Sequence, residues 1–246
     1  MRNDLSFINL YSDKNLKSKL ATQLLFGETF KVIKKNKKTI KIKNDLDGYR
    51  GFINLRKFPN NQKTTHKVCN LFCNLYSKPN LNYKINKRIS FGSKVRVIEK
   101  RNQFYKADNF WVKKNDLKKN SYKTKNIFQN VKKFLNVKYK WGGKHFVGID
   151  CSALIQLFFN FNNKYCPRDS IDQFKYFKKN IALKNIKKND LIFWKGHVAL
   201  AISKKKLIHA YGPFKKVVIM PINKTIDRIE KTAKLKVIGI KRTTCS

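Results

Sequence analysis

The sequence predicts an α+β domain preceded by two small all-β units. Two observations carry this expectation. The stretch Phe26-Gly27-Glu28-Thr29-Phe30-Lys31-Val32-Ile33 is echoed by Phe91-Gly92-Ser93-Lys94-Val95-Arg96-Val97-Ile98, and both end on the alternation of a half-buried strand. Beyond Lys125 the pattern changes to helical spacing followed by a run of short strands, the order of an α+β domain.

In the first copy, Thr39 to Lys43 alternates and Gly51-Phe52-Ile53 closes the unit. In the second, Phe104 to Ala107 and Phe110-Trp111-Val112 do the same. Asn44, Asp47-Gly48 and Asn109 supply turns between them. The units therefore occupy residues 1–60 and 66–118, with Pro59-Asn60-Asn61-Gln62 as the boundary. The polar stretch Leu117 to Thr124 reads as a linker, and the α+β domain occupies 122–246. Within it, Ile127, Val131, Phe134 and Leu135 recur at helical spacing and predict a helix. Asp150-Cys151-Ser152 opens an apolar run from Ala153 to Phe159 that suits a central helix packed on several sides. Pro167-Arg168-Asp169-Ser170 starts another helix. Asp190–Trp194, Val198–Ile202, Lys206–His209, Val217–Ile222 and Val237–Lys241 read as strands.

Composition narrows the function classes. The formal charge is +43, but only nine of the 57 basic residues are Arg. Specific phosphate or base readout favours the planar guanidinium fork, so the charge is most simply solvated lysine from a base-composition bias, and no specific nucleic-acid partner is expected. With 41% hydrophobic residues, 19 Phe and 10 Tyr, the chain has the material for a packed core. The N-terminus has no apolar run after a basic start, and the uncharged run Cys151 to Asn163 is too short to span a bilayer. A cytoplasmic location and no membrane span are the resulting expectations. Cysteines 69, 73, 151, 166 and 245 have no paired metal spacing, and their odd number argues against a disulfide framework. No metal and no cofactor are expected; the oligomeric state is not fixed by the sequence.

Cys151 is the residue with chemistry. It sits where a loop ends and an apolar helix begins, and free N–H groups and the helix dipole at that end favour a thiolate. The dipole contributes ~0.3–1 kcal/mol, under about one pKa unit. A neighbouring imidazolium is therefore expected to do most of the lowering. His197 heads the strand Val198–Ile202, and His209 ends the next strand. Antiparallel pairing of these strands brings both side chains to one end of the sheet, one as base and the other holding its tautomer. His66 and His145 read as surface residues.

The ordered set Tyr139-Lys140-Trp141-Gly142-Gly143, Gly148-Ile149-Asp150-Cys151-Ser152, Pro167-Arg168-Asp169-Ser170 with Gln173, Asp190-Leu191-Ile192-Phe193-Trp194, Gly196-His197-Val198-Ala199 and His209-Ala210 resembles the NlpC/p60 cell-wall peptidases over roughly residues 122–242. The two upstream units are similar to bacterial SH3-like barrels. The resemblance implies a papain-like fold and hydrolysis of the bond between γ-D-glutamate and a diamino acid in short murein stem peptides. It makes Cys151 the nucleophile, His197 the base and His209 the third polar residue, and it sets Tyr139 at the oxyanion site. Members that trim free stem peptides recognise an unblocked N-terminal L-alanine; by that likeness Glu28, Tyr49, Asp150 and Ser152 would form the amine site. The lack of a visible signal peptide argues against secretion to the wall and fits a cytoplasmic role in recycling imported murein peptides. Ala153 stands where relatives often have Gly, and Tyr211 where they often have Asn, which bears on fine specificity. Two rival readings are a thiol acyltransferase of the same fold and a non-catalytic module binding a wall polymer or polyanion.

Overall fold

The computed structural model describes residues 1–243, so Cys245 lies outside the described residues. The chain forms two compact bodies. Residues 1–123 with 141–146 make the first, and residues 124–140 with the chain from Val147 onward make the second.

In the first body, β1 (Phe7–Tyr11), β2 (Leu20–Leu25), β3 (Phe30–Lys35), β4 (Thr39–Asn44) and β5 (Arg50–Asn54) form an antiparallel sheet in the order β2-β1-β5-β4-β3. Alternating residues Leu10, Leu24, Phe30, Ile40, Ile42 and Ile53 fill its core. A second unit follows: β6 (His66–Val68), β7 (Phe72–Tyr76), β8 (Lys84–Ser90), β9 (Lys94–Val95), β10 (Val97–Arg101), β11 (Phe104–Ala107), β12 (Phe110–Lys113) and β13 (Leu117–Lys119). They make a five-stranded sheet, β10-β11-β12-β7-β8, and a three-stranded one, β13-β6-β9. The stretch expected to be a linker is thus partly strand. Its continuation has a role too, because the carbonyls of Asn120 and Tyr122 receive the buried Lys67 ammonium at 3.0 and 2.7 Å. Two-residue strands β14 (Lys144–His145) and β15 (Gly148–Ile149) belong to the first and second bodies respectively.

The sequence echo has a backbone cause. Gly27 and Gly92 follow the two matching phenylalanines, and both adopt positive φ, +80° and +81°. A Cβ on Gly27 would lie 1.9 Å from the Lys94 carbonyl oxygen, so that turn needs glycine for conformation and for space. The two β units are further joined by Arg2, whose Nη2 meets Asp108 Oδ1 at 2.7 Å.

The second body is built on the sheet β19-β18-β17-β16-β20, with β16 Asp190–Trp194, β17 His197–Ala201, β18 Lys206–Tyr211, β19 Lys216–Pro221 and β20 Val237–Arg242. Helix α1 (Cys151–Phe161) is buried along nearly its whole length and packs on β17 and β18. Each fully buried Leu or Phe of that helix contributes ~1.5–3 kcal/mol. Helix α2 (Ser170–Tyr176) sends Phe174 against Phe193. Helix α3 (Ile222–Ala233), which the strand-dominated reading of the C-terminal part omitted, lays Ile222 and Ile229 on the cluster of Ile192, Trp194, Ala199, Ala201, Leu207 and Tyr211.

The helix expected from Ile127 to Leu135 is absent; only a 3-10 turn at Val131–Phe134 forms. The Asn126 side chain accepts from Phe128 N at 2.9 Å, and Asn136 takes φ +66°. Such local side-chain bonds compete with helix. The apolar spacing instead reflects burial, with Phe128 against Phe158 and Phe159, and Phe134 against Phe158.

Gly27→Ala is expected to destabilise the first body by ~1–3 kcal/mol. Gly48→Ala carries only the backbone cost, since a Cβ there meets nothing closer than the Lys43 side chain at 3.5 Å. Urea unfolding of both variants checks the difference, and equal losses would remove the packing argument.

Candidate active site

Cys151 is the first residue of α1, and Asp150 is its N-cap. The Asp150 carboxylate accepts from Ala153 N at 2.8 Å, satisfying one of the free donors of the helix start. It is also gripped by Arg168 through two bonds, Nη1–Oδ1 at 3.0 Å and Nη2–Oδ2 at 2.7 Å. Ser152 Oγ donates to Asp150 at 3.3 Å and accepts from Arg168 Nη1 at 3.0 Å. Gln173 Nε2 donates to the carbonyls of Ser152 and Pro167, both at 2.9 Å. The Pro-Arg-Asp-Ser segment thus anchors the loop that carries Cys151, a role for Arg168 and Gln173 that the sequence offered only as motif membership.

The two imidazoles come from the sheet. Trp194 and His197 are paired across the turn Lys195-Gly196, and Gly196 takes φ +77° to close it. His197 therefore stands at the head of β17. β17 and β18 run antiparallel, with Leu200 opposite Ile208 and Ala201 opposite Leu207. His209 lies on β18, and its Nδ1 is 2.9 Å from His197 Nε2. The juxtaposition of the two imidazoles expected from the strand pattern is present. The Cys151 sulfur lies within reach of the backbone N–H of Val198, the residue after His197, and of Ser152. The Asp150 charge acts on both Cys151 and His197. Tyr139 is half-buried and feels the charges of Cys151, Asp150 and Arg168; burial first, then Cys151 and Asp150, hold its hydroxyl well above the usual tyrosine range.

Electrostatics differ from the expected thiolate–imidazolium pair. Burial, then the Asp150 charge, pushes the Cys151 thiol up to about 12, against the opposing pull of Val198 N–H, Arg168 and Ser152 N–H. Burial lowers His197 to about 4, with Asp150 opposing. His209 is also pushed down, by burial and then by His197. The resting site is therefore a neutral thiol beside neutral imidazoles. With His197 Nε2 engaged by His209, Nδ1 is the nitrogen left to accept a proton. That requires the Nε2–H tautomer, donating to His209 Nδ1.

The remaining candidates lie in the first body. Glu28 is 6% exposed; its Oε1 meets Lys144 Nζ at 2.7 Å and its Oε2 accepts from Leu25 N at 3.1 Å. Tyr49 is half-buried against the first β core, its N–H donating to Asp47. His145, expected at the surface, is 3% exposed and packs on Phe7 and Phe146; His66 is half-buried beside Tyr105. The neighbouring apolar rings draw both out of solvent. Among the described residues no group of three or more His, Cys, Asp or Glu is placed to hold a metal, and no helix is long and apolar enough to cross a membrane.

A thiol at the head of a buried helix and an imidazole pair on an antiparallel sheet make a thiol–imidazole site on an α+β fold. Residues 136–232 match the NlpC/P60 family, and residues 10–58 match the bacterial dipeptidyl-peptidase Sh3 domain. The chain carries an NlpC/P60 catalytic domain preceded by a bacterial SH3 domain. It is similar to an NlpC/P60 family protein from Bacillus cereus, with TM-score 0.82, 21% identity and 98% of each chain covered. An NlpC/P60 endopeptidase from Photobacterium damselae subsp. piscicida has TM-score 0.58 and 14% identity, over 95% of this chain and 69% of that one. Dipeptidyl-peptidase 6 of Lysinibacillus sphaericus is 34% identical over 85 residues, 35% of this chain. That match spans 31% of the relative's length.

Asp150→Asn keeps a cap acceptor but removes the carboxylate that takes both arms of the buried Arg168, a cost of ~3–5 kcal/mol. It also removes the carboxylate that raises the Cys151 thiol. Thermal melting should show the first effect. Thiolate absorbance should show the Cys151 midpoint moving down from about 12, and an unmoved midpoint would contradict the electrostatic assignment.

Proposed function

We propose that this protein is a cysteine endopeptidase acting on short murein stem peptides, cleaving between γ-D-glutamate and the diamino acid. The observation that carries the reading is the His197–His209 hydrogen bond, 2.9 Å, in the same body that holds the Cys151 sulfur against Val198 N–H. The match to the NlpC/P60 family and the dipeptidyl-peptidase relative support it. A cytoplasmic place in murein recycling belongs to the same proposal.

As the substrate carbonyl docks, the Cys151 proton passes to His197 Nδ1 and the sulfur attacks the γ-glutamyl carbon. His197 returns that proton to the leaving amine as the C–N bond breaks, leaving a thioester. Water, deprotonated by His197, then releases the acid and regenerates the thiol. His209 holds the His197 tautomer through both steps. Tyr139 stands beside the thiol and is the side chain available to the developing oxyanion, where one donor contributes ~3–4 kcal/mol.

The free amine of L-alanine would meet a carboxylate that already has a cationic partner, Asp150 with Arg168. Acetylating that amine is therefore expected to reduce kcat/KM on the order of tenfold, about 1.4 kcal/mol, rather than abolish turnover.

The decisive assay is release of L-Ala-γ-D-Glu from L-Ala-γ-D-Glu-diaminopimelate. Cys151→Ala should be inactive and EDTA without effect; absence of turnover by the unaltered protein would sink the proposal. The pH profile carries a sign. Protonated His197 cannot accept a proton, so the rate falls on the acid side as pH drops towards about 4, below the ordinary histidine value of 6.5. An acid limb at or above that ordinary value would contradict a half-buried, neutral His197 as the base.

A further inference from the structure

We propose that Tyr211 is a positioning residue for the imidazole pair, its ring clamping His209 in the plane that lets Nδ1 meet His197. The inference deepens the thiol–imidazole reading of Cys151 and His197 and rests on it. Tyr211 follows His209 by two residues on β18, so the two side chains project from the same face. Their rings lie parallel, 4.7 Å between centroids and 9° between planes.

The stack has its own support. Phe214 packs edge-on against Tyr211 at 5.3 Å and 81°, and the Arg228 guanidinium from α3 lies 4.7 Å over Phe214. Trp194, the ladder partner of His197, covers that ring at 5.6 Å, and Tyr211 itself is 6.0 Å from it.

His209 needs such a clamp. It is 1% exposed, and among the described residues its Nε2 has no hydrogen-bond partner. Among the described residues the bond to His197 is therefore the single polar restraint on a ring torsion that is intrinsically broad. A free imidazole held by one bond could swing out of line. A flat ring stacked on its face leaves in-plane motion only.

The same contact serves when charge appears. Once His197 takes the proton, the shared positive charge faces Asp150 at the head of α1 and Tyr211 on β18; Lys216, the ladder partner of Tyr211 on β19, is exposed. No carboxylate is hydrogen-bonded to His209 among the described residues. Beside the Asp150 charge, which favours the cation on His197, the aromatic faces of Tyr211 and Trp194 also attract it.

The test compares Tyr211→Leu, Tyr211→Phe and Phe214→Leu with the unaltered protein. Two readouts are taken: kcat and KM on the tripeptide, and the pH dependence of Cys151 alkylation by iodoacetamide, located by peptide mass. Tyr211→Leu should lower kcat on the order of 10- to 100-fold with KM little changed, slow alkylation and shift its pH profile. Tyr211→Phe, which keeps the ring, should restore most of the rate. Phe214→Leu, at a partly exposed position, should give a smaller loss in the same direction and stands in if Tyr211→Leu does not fold. Unchanged alkylation and pH profile in Tyr211→Leu, or equal losses in the Leu and Phe variants, would overturn the clamp. If the unaltered protein does not cleave the tripeptide but alkylation still depends on the Tyr211 ring, the substrate assignment falls and the clamp stands.

Discussion

The Asp150 carboxylate is the interaction on which the site depends. One side chain caps α1, takes both arms of Arg168, orders Ser152 and sets the charge felt by Cys151 and His197. These tasks are compatible only because Arg168 neutralises it. An unpaired carboxylate at 7% exposure would be costly to bury. Two residues from the segment before α2, Pro167 and Arg168, are therefore tied to the start of α1, and Gln173 closes the connection from α2. The position of Cys151 follows from this polar knot as much as from the apolar packing of α1.

Much of this was legible in sequence because short motifs have local physical causes. Asp150-Cys151-Ser152 before an apolar run reads as a capped buried helix, and Gly196-His197 reads as a tight turn delivering a histidine to a strand head. The paired Phe-Gly turns announced the β repeat through a backbone demand that only glycine meets cheaply. What escaped was non-local or masked by burial. Ile127 to Leu135 has helical spacing, but asparagine side chains take over the backbone bonds and the apolar residues go to the core individually. His145 reads as a basic-loop residue until its aromatic neighbours, distant in sequence, are known. Arg168 carries no sign of its partner 18 residues away. Helix α3 was missed although Ile222, Ile226 and Ile229 line one face, because the preceding strand residues blur its start.

The charge state of the site is the point at which sequence and structure part most sharply. A helix N-terminus suggests a thiolate, but the helix contribution is under about one unit, whereas burial moves both members of the pair towards neutrality. Low polarity has two consequences, and they oppose each other. It penalises a charge that sits at rest without solvation, and it strengthens each fixed dipole aimed at a charge that develops during reaction. The N–H groups of Val198 and Ser152 and the Arg168 guanidinium all favour negative charge at the sulfur. They are in place before the proton moves and need no reorganisation when it does. On this argument the neutral thiol is a consequence of the same enclosure that makes those donors effective, and in the proposed reaction the imidazole pair, with its aromatic cover, is where the balancing positive charge would be held until the leaving amine takes the proton.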